Sequence, residues 1–196
     1  LSLAPNNAAR APAGGRIEFP ALALDRNGAP IPIMHSDVGF VLLFGSPAER
    51  EIEAAAELIL RPFPAGLTTP AGMVVANAAL APDAFAEKFG KDRYHGAVVW
   101  SWQQALMIAG LKKQLKREEL SDSVRAKLSD ALGILDASVT AGREHQSAEL
   151  WTWFVEDGVI KRSPFGDSAI DETESNAAQL WSTTHLAGKP EPVTKH

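Results

Sequence analysis

Cysteine is absent from this 196-residue chain. Disulfides, thiolate metal sites and a cysteine nucleophile are therefore excluded. Long apolar runs are missing too. None approaches the roughly 20 residues needed to cross a bilayer, and no signal peptide is visible. The formal net charge is −5 and no basic block is present to neutralise phosphates, which argues against nucleic acid as a partner. The five histidines, His35, His95, His145, His185 and His196, lack a metal-binding spacing such as His-Glu-x-x-His. Ala65-Gly66-Leu67-Thr68-Thr69 carries no lysine of a phosphate-cradling loop. Gly45-Ser46-Pro47 lacks the Gly-x-Ser-x-Gly elbow of a serine hydrolase. The expectation is no metal, no cofactor, no nucleic acid and no membrane. Absence of cysteine suits cytoplasm and periplasm alike, so the compartment stays open.

What is present is ordinary in bulk. Hydrophobic residues make up 45% and charged residues 22%, as in soluble globular proteins. The length suits one domain or part of a larger one. Leu1 stands where a Met would begin a chain, so a fragment or a processed product is expected. The most basic run, Lys112 to Arg117, falls at a predicted helix C-terminus, where positive charge complements the helix dipole.

Residues 1–34 read as an irregular, then extended, segment broken by prolines, with a turn at Asp25-Arg26-Asn27-Gly28. Asp37 to Gly45 is a dense apolar run that suits a buried helix or a strand. Asp37 could line a cleft, but capping that helix is the expectation. Ser46-Pro47-Ala48-Glu49 reads as a cap, a first-turn proline and a capping box. It opens a helix to about Leu60, which Pro62 and Pro64 end. A short helix is expected around Ala84–Phe89. Apolar spacing predicts a helix from about Val98 to Leu115, and a second over Leu120–Val139. The short link between them implies an antiparallel pair. Leu150–Phe165 reads as a β-hairpin turning at Glu156-Asp157-Gly158. A last helix is expected from about Ser175 to Leu186, then a loose tail at 190–196. The fold class expected from this pattern is mainly α, in antiparallel helix pairs.

All five tryptophans lie in the second half, four of them in two short motifs. Tyr94-His95-Gly96-Ala97-Val98-Val99-Trp100-Ser101-Trp102 places aromatics and a histidine where a long helix begins. Glu149-Leu150-Trp151-Thr152-Trp153 repeats the theme with a carboxyl group. Indole faces stack on the apolar side of a pyranose, and fixed polar groups meet its hydroxyls. A sugar-binding cleft is the chemistry this pattern suits.

The first motif is similar to the Tyr-His-Asn-Gly-Thr-Val-Trp-Pro-Trp of six-hairpin glycosidases, the (α/α)6-barrel group that includes amylo-α-1,6-glucosidases of the glycogen-debranching type. It matches at Tyr94, His95, Val99, Trp100 and Trp102. It departs where Gly96 falls one position early and where Ser101 replaces proline. Gln179-Leu180-Trp181-Ser182 resembles the Gln-Ala-Trp-Ser that opens that group's final barrel helix. Glu149-Leu150-Trp151 resembles the segment that supplies its catalytic base, although Glu149 stands farther from Trp181 than in the group, by about one hairpin.

The resemblance implies that residues 35–189 form the C-terminal part of an (α/α)6 toroid, since twelve helices need about 350 residues. It implies an inverting glycoside hydrolase acting on a glucosyl-type linkage by two carboxyl groups. Glu149 would be the base, with Glu174 as second choice, and the general acid would come from an earlier part of the barrel. Tyr94, His95, Trp100, Trp102, Gln103, Trp151 and Trp153 would bind the substrate, an oligosaccharide or glycoside. The N-terminal remainder of the barrel, or another copy of the chain, would be the partner. The alternative is a non-catalytic helical module that binds a carbohydrate or a subunit.

Overall fold

A computed structural model describes residues 17–142, 145 and 148–166. Its first feature is the expected turn, where the Asp25 carboxylate accepts the N–H groups of Asn27 and Ala29, each at 2.8 Å. Strand β1 (Met34–His35) follows and leads into helix α1 (Val38–Phe44). The ambiguous apolar run is thus a helix, closed by the Gly45 N–H on the Val41 carbonyl. The cap of helix α2 (Glu49–Leu60) falls two residues after the expected Ser46. Ala48 occupies the N-cap position, and its N–H donates to the Glu51 carboxylate at 2.8 Å. Its apolar stripe, Ile52, Ala55, Ala56, Leu58 and Ile59, is buried.

Residues 66–81 hold three short strands: β2 (Thr68–Thr69), β3 (Gly72–Met73) and β4 (Ala76–Asn77). Strands β2 and β3 pair with each other, and β4 returns to pair with β1. Helix α3 (Asp83–Ala86) runs on into a 3-10 turn over Glu87–Phe89. The long helix expected from Val98 starts later. Strand β5 (Val99–Trp100) comes first, then α4 (Ser101–Leu115). Helix α5 (Asp122–Ala141) is capped by Ser121, whose hydroxyl accepts the Val124 N–H. The hairpin forms as β6 (Leu150–Glu156) and β7 (Val159–Pro164) around an Asp157-Gly158 turn. Both turn residues have positive φ, 51° and 79°, the conformation for which Asp-Gly is preferred in two-residue hairpins.

The described residues hold five α-helices and seven strands, the strands in three antiparallel sheets. The fold is mixed α/β, which corrects the expectation of a mainly α part-toroid. The physical reason lies in the strands. Five of the seven are two residues long, too short to show the alternation that marks a strand. Two of their pairings also join segments some 40 and 50 residues apart. Helix α4 packs between α1 and α5, and α2 covers α5. The main core runs through them, with Leu42, Ile52, Met107, Leu111, Leu128 and Trp151. The expected last helix, its Gln179-Leu180-Trp181-Ser182 motif, Glu174, the tail at 190–196 and the first 16 residues of the N-terminal segment lie outside the described residues. Among the described residues no helix is long and apolar enough to cross a membrane.

Candidate functional site

The sheet of β5, β6 and β7 ends at the mouth of α4, and this junction carries Glu149. The register sets Val99 opposite Trp151 and Trp100 opposite Leu150. One residue further, the Ser101 N–H and Oγ both donate to the Glu149 carbonyl, at 2.8 and 3.0 Å. A residue 48 positions away is thereby fixed to the first turn of α4. Its side chain is buried, with 4% of the residue exposed. The Tyr94 hydroxyl donates to Glu149 Oε1 at 2.6 Å.

Tyr94 and His95 come from the loop that precedes β5. Gly96 ends that loop under tight contact. A Cβ there would lie 2.0 Å from the Gly90 carbonyl oxygen, so no other residue fits without moving backbone. The Ala97 N–H then bonds to the Phe89 and Gly90 carbonyls. This closure presents Tyr94 and His95 against Trp100, with ring centroids 4.9 and 5.0 Å away. The Trp100 indole N–H donates to the Tyr94 carbonyl at 3.0 Å. Trp102 lies 5.4 Å from Trp100 with rings inclined by 33°. Beneath them Val75, Val98, Leu150 and Phe165 form a small apolar cluster.

Gln103 is the third residue of α4 and is buried, with 1% exposed. Its Nε2 donates to Asp37 Oδ1 at 2.8 Å. Among the described residues its Oε1 is buried without a donor. Asp37 stands at the N-cap of α1 but makes no side-chain cap, contrary to expectation. Its carboxylate turns instead to Gln103 and His35. His35 Nδ1 lies 3.0 Å from Asp37 Oδ2 and 3.2 Å from the Asp37 backbone nitrogen. One nitrogen cannot donate to the carboxylate and accept from the amide together. The shorter contact, to the charged partner, is the stronger, so Nδ1 is taken as the donor to the carboxylate. The His35 hydrogen bond holds the Asp37 carboxyl below its usual range, against the opposing effect of partial burial. The charge of His35, the Gln103 amide and the nearby His95 act in the same direction as that bond.

Of the residues singled out in the sequence, Tyr94, His95, Trp100, Trp102, Gln103 and Glu149 come together here. Trp151 and Trp153 do not present a binding face. Both are buried, and their indole N–H groups donate to the Ala71 and Ala97 carbonyls. They pack the sheet onto the body, Trp153 edge-on to Phe63. Asp37 was open to a place in the cleft but was expected to cap, and His35 and Phe40 were not among the sequence candidates. The stripe Asp37-x-x-Phe40-x-x-x-Phe44 carried a helical spacing that could have shown them. Among the described residues no group of three or more His, Asp or Glu could hold a metal ion. No protein-family model, curated protein or solved structure matches the chain.

Proposed function

We propose that the chain provides a saccharide-binding site of a glycoside hydrolase, in which Glu149 acts as the base. The observation that carries the reading is one arrangement. A buried carboxyl group, oriented by the Tyr94 hydroxyl, sits beside the Trp100–Trp102 pair. The part-exposed Trp102 offers a sugar its apolar contact and the exposed His95 a polar partner, with the buried Trp100 and Gln103 behind them. As base, an ionised Glu149 takes a proton from the water that attacks the anomeric carbon. A separate acid protonates the leaving oxygen. The resemblance at Tyr94 to Trp102 supports the same chemistry independently of the overall fold. Trp151 and Trp153 have no part in this reading, because the protein already satisfies and covers them. Glu174 lies outside the described residues and keeps its place as the second candidate.

The burial of Glu149 favours a second reading, a saccharide-binding module without turnover, because a base must reach its water. Two measurements separate them. Tryptophan fluorescence follows titration with glucose, maltose and isomaltose. Release of glucose from maltose, isomaltose and 4-nitrophenyl α-glucoside follows turnover. The hydrolase reading expects both signals, with Glu149→Gln abolishing turnover and leaving binding intact. Binding without turnover in the unsubstituted protein supports the module. No fluorescence response to any of these sugars overturns both.

A further inference from the structure

Helix α1 and its N-cap carry a stripe that extends the site described above outward. Asp37, Phe40 and Phe44 stand at i, i+3 and i+7, so they share one face. Phe44 is 74% exposed and Phe40 39%. Their rings stack at 6.2 Å with planes 28° apart. Phe40 also meets Trp102 edge-on at 6.0 Å. The aromatic row therefore continues without a break from Trp100 through Trp102 to the outer end of α1. The stripe spans about 10 Å of helix, longer than one pyranose ring.

We propose that Asp37, Phe40 and Phe44 form a second saccharide subsite beside the Trp100–Trp102 pair, so that the ligand is an oligosaccharide rather than a single sugar. The proposal rests on the saccharide reading given above. The Asp37 side chain is 58% exposed, yet Gln103 and His35 hold it. Those two bonds occupy about two of the four acceptor positions of a carboxylate. The remaining positions suit sugar hydroxyls, which donate. Because the carboxylate is already fixed, little side-chain freedom is lost when a ligand binds it. A protein partner suits the stripe less well. Protein interfaces are depleted of Asp at their centres, and covering an ionised Asp37 with apolar surface carries a desolvation cost.

The test is a titration series of glucose, maltose, maltotriose, isomaltose and isomaltotriose, read by tryptophan fluorescence. Affinity is expected to rise about tenfold or more from glucose to the trisaccharide of the preferred linkage. Phe44→Ala should lower trisaccharide affinity about three- to tenfold, the range expected for one aromatic contact, and leave glucose affinity unchanged. Asp37→Asn should lower trisaccharide affinity as well. Circular dichroism confirms that each variant is folded. Glucose and trisaccharide binding equally well, or a Phe44→Ala variant that keeps full trisaccharide affinity, overturns the second subsite and leaves the first. Failure of every sugar to bind instead removes the saccharide reading itself. Sedimentation closes the remaining route. Concentration-dependent self-association that Phe44→Ala abolishes would assign the stripe to a second copy of the chain, and would also overturn the proposal.

Discussion

At 2.6 Å from Glu149 Oε1, the Tyr94 hydroxyl donates to a group with almost no contact with water. A buried polar group that loses its partner costs about 1–3 kcal/mol. Tyr94→Phe keeps the ring and its packing on Trp100, and removes only the hydroxyl. It is expected to destabilise the fold by about 1–3 kcal/mol, measured as a shift in the urea midpoint at unchanged slope. Glu149→Gln should cost much less, because the amide oxygen still accepts from Tyr94 and the Ser101 bonds reach the Glu149 backbone. Adding Tyr94→Phe to Glu149→Leu, which has no acceptor for the hydroxyl, tests the link directly. If Tyr94→Phe costs as much in that background as in the unsubstituted protein, its effect does not run through the Glu149 carboxyl. Asp37 shows the same logic at a helix end. An Asp at an N-cap ordinarily bonds the first-turn N–H groups. Here a protonated His35 nitrogen and a buried amide are the better partners, and the carboxylate leaves the helix for them.

Helix α1 is only seven residues long, and α4 supplies much of what keeps it. Gln114 donates to the Leu42 carbonyl, while Lys113 donates to the carbonyls of Leu43 and Gly45 at 3.0 and 2.9 Å. The basic run of the sequence thus serves the C-terminus of a neighbouring helix, with Arg125 taking the Leu115 and Arg117 carbonyls at the end of α4. Close approach makes this possible. A Cβ on Gly110 would lie 2.8 Å from Leu42 Cβ, 3.1 Å from the Gly39 carbonyl and 3.2 Å from the Leu43 nitrogen. Much of that is backbone, so no rotamer change relieves it. Gly110→Ala is expected to destabilise by about 1–2 kcal/mol, overpacking outweighing the gain in helix propensity. Gly133, on α5, has nothing within 4 Å of such a Cβ, and Gly133→Ala should stabilise by about 0.5–1 kcal/mol. A urea midpoint that rises for Gly110→Ala as it does for Gly133→Ala would contradict the close crossing. These elements also show what was legible. The hairpin could be read because Asp157-Gly158 and its flanking residues are local. Helix α5 could be read because its apolar stripe is continuous. Strand β5 could not: Val98, Val99 and Trp102 fit a helical stripe, and only Leu150 and Trp151, some fifty residues on, draw Val99 and Trp100 into a strand. The candidate site was half legible for the same reason. Its aromatics are neighbours in sequence, whereas Asp37 and His35 reach it through the packing of α1 on α4.

Across the whole molecule, charge ties together what the core brings near. Lys127 on α5 donates to Glu53 and Glu57 on α2, at 2.8 and 2.6 Å. Glu49, at the start of α2, accepts the Ser121 N–H at the start of α5 at 3.0 Å. Asp37 joins α1 to α4 through Gln103. Each tie favours one protonation state, so stability depends on pH with a definite sign. Hydrogen bonds from Lys127 hold the Glu57 carboxyl below its usual 4.5, those from Ser121 do the same for Glu49, and those from His35 hold Asp37 below 3.8. A lowered carboxyl contributes stability that is present above its unfolded value and lost as pH falls through the folded one. The acid limb therefore belongs below about pH 4.5. Lys127 is raised above 10.5 by Glu53 and Glu57. Its contribution is complete below that value and is lost as pH rises through the raised one. The urea midpoint should accordingly be flat with respect to these groups from about pH 5 to pH 10 and fall on both sides. Lys127→Met separates the limbs. It should remove most of the alkaline fall and weaken the acid one through Glu57, while the Asp37 and Glu49 contributions to the acid limb persist. An alkaline limb unchanged in Lys127→Met would show that the α2–α5 seam is held by its apolar stripe alone, with the ion pairs contributing no more than exposed pairs commonly do.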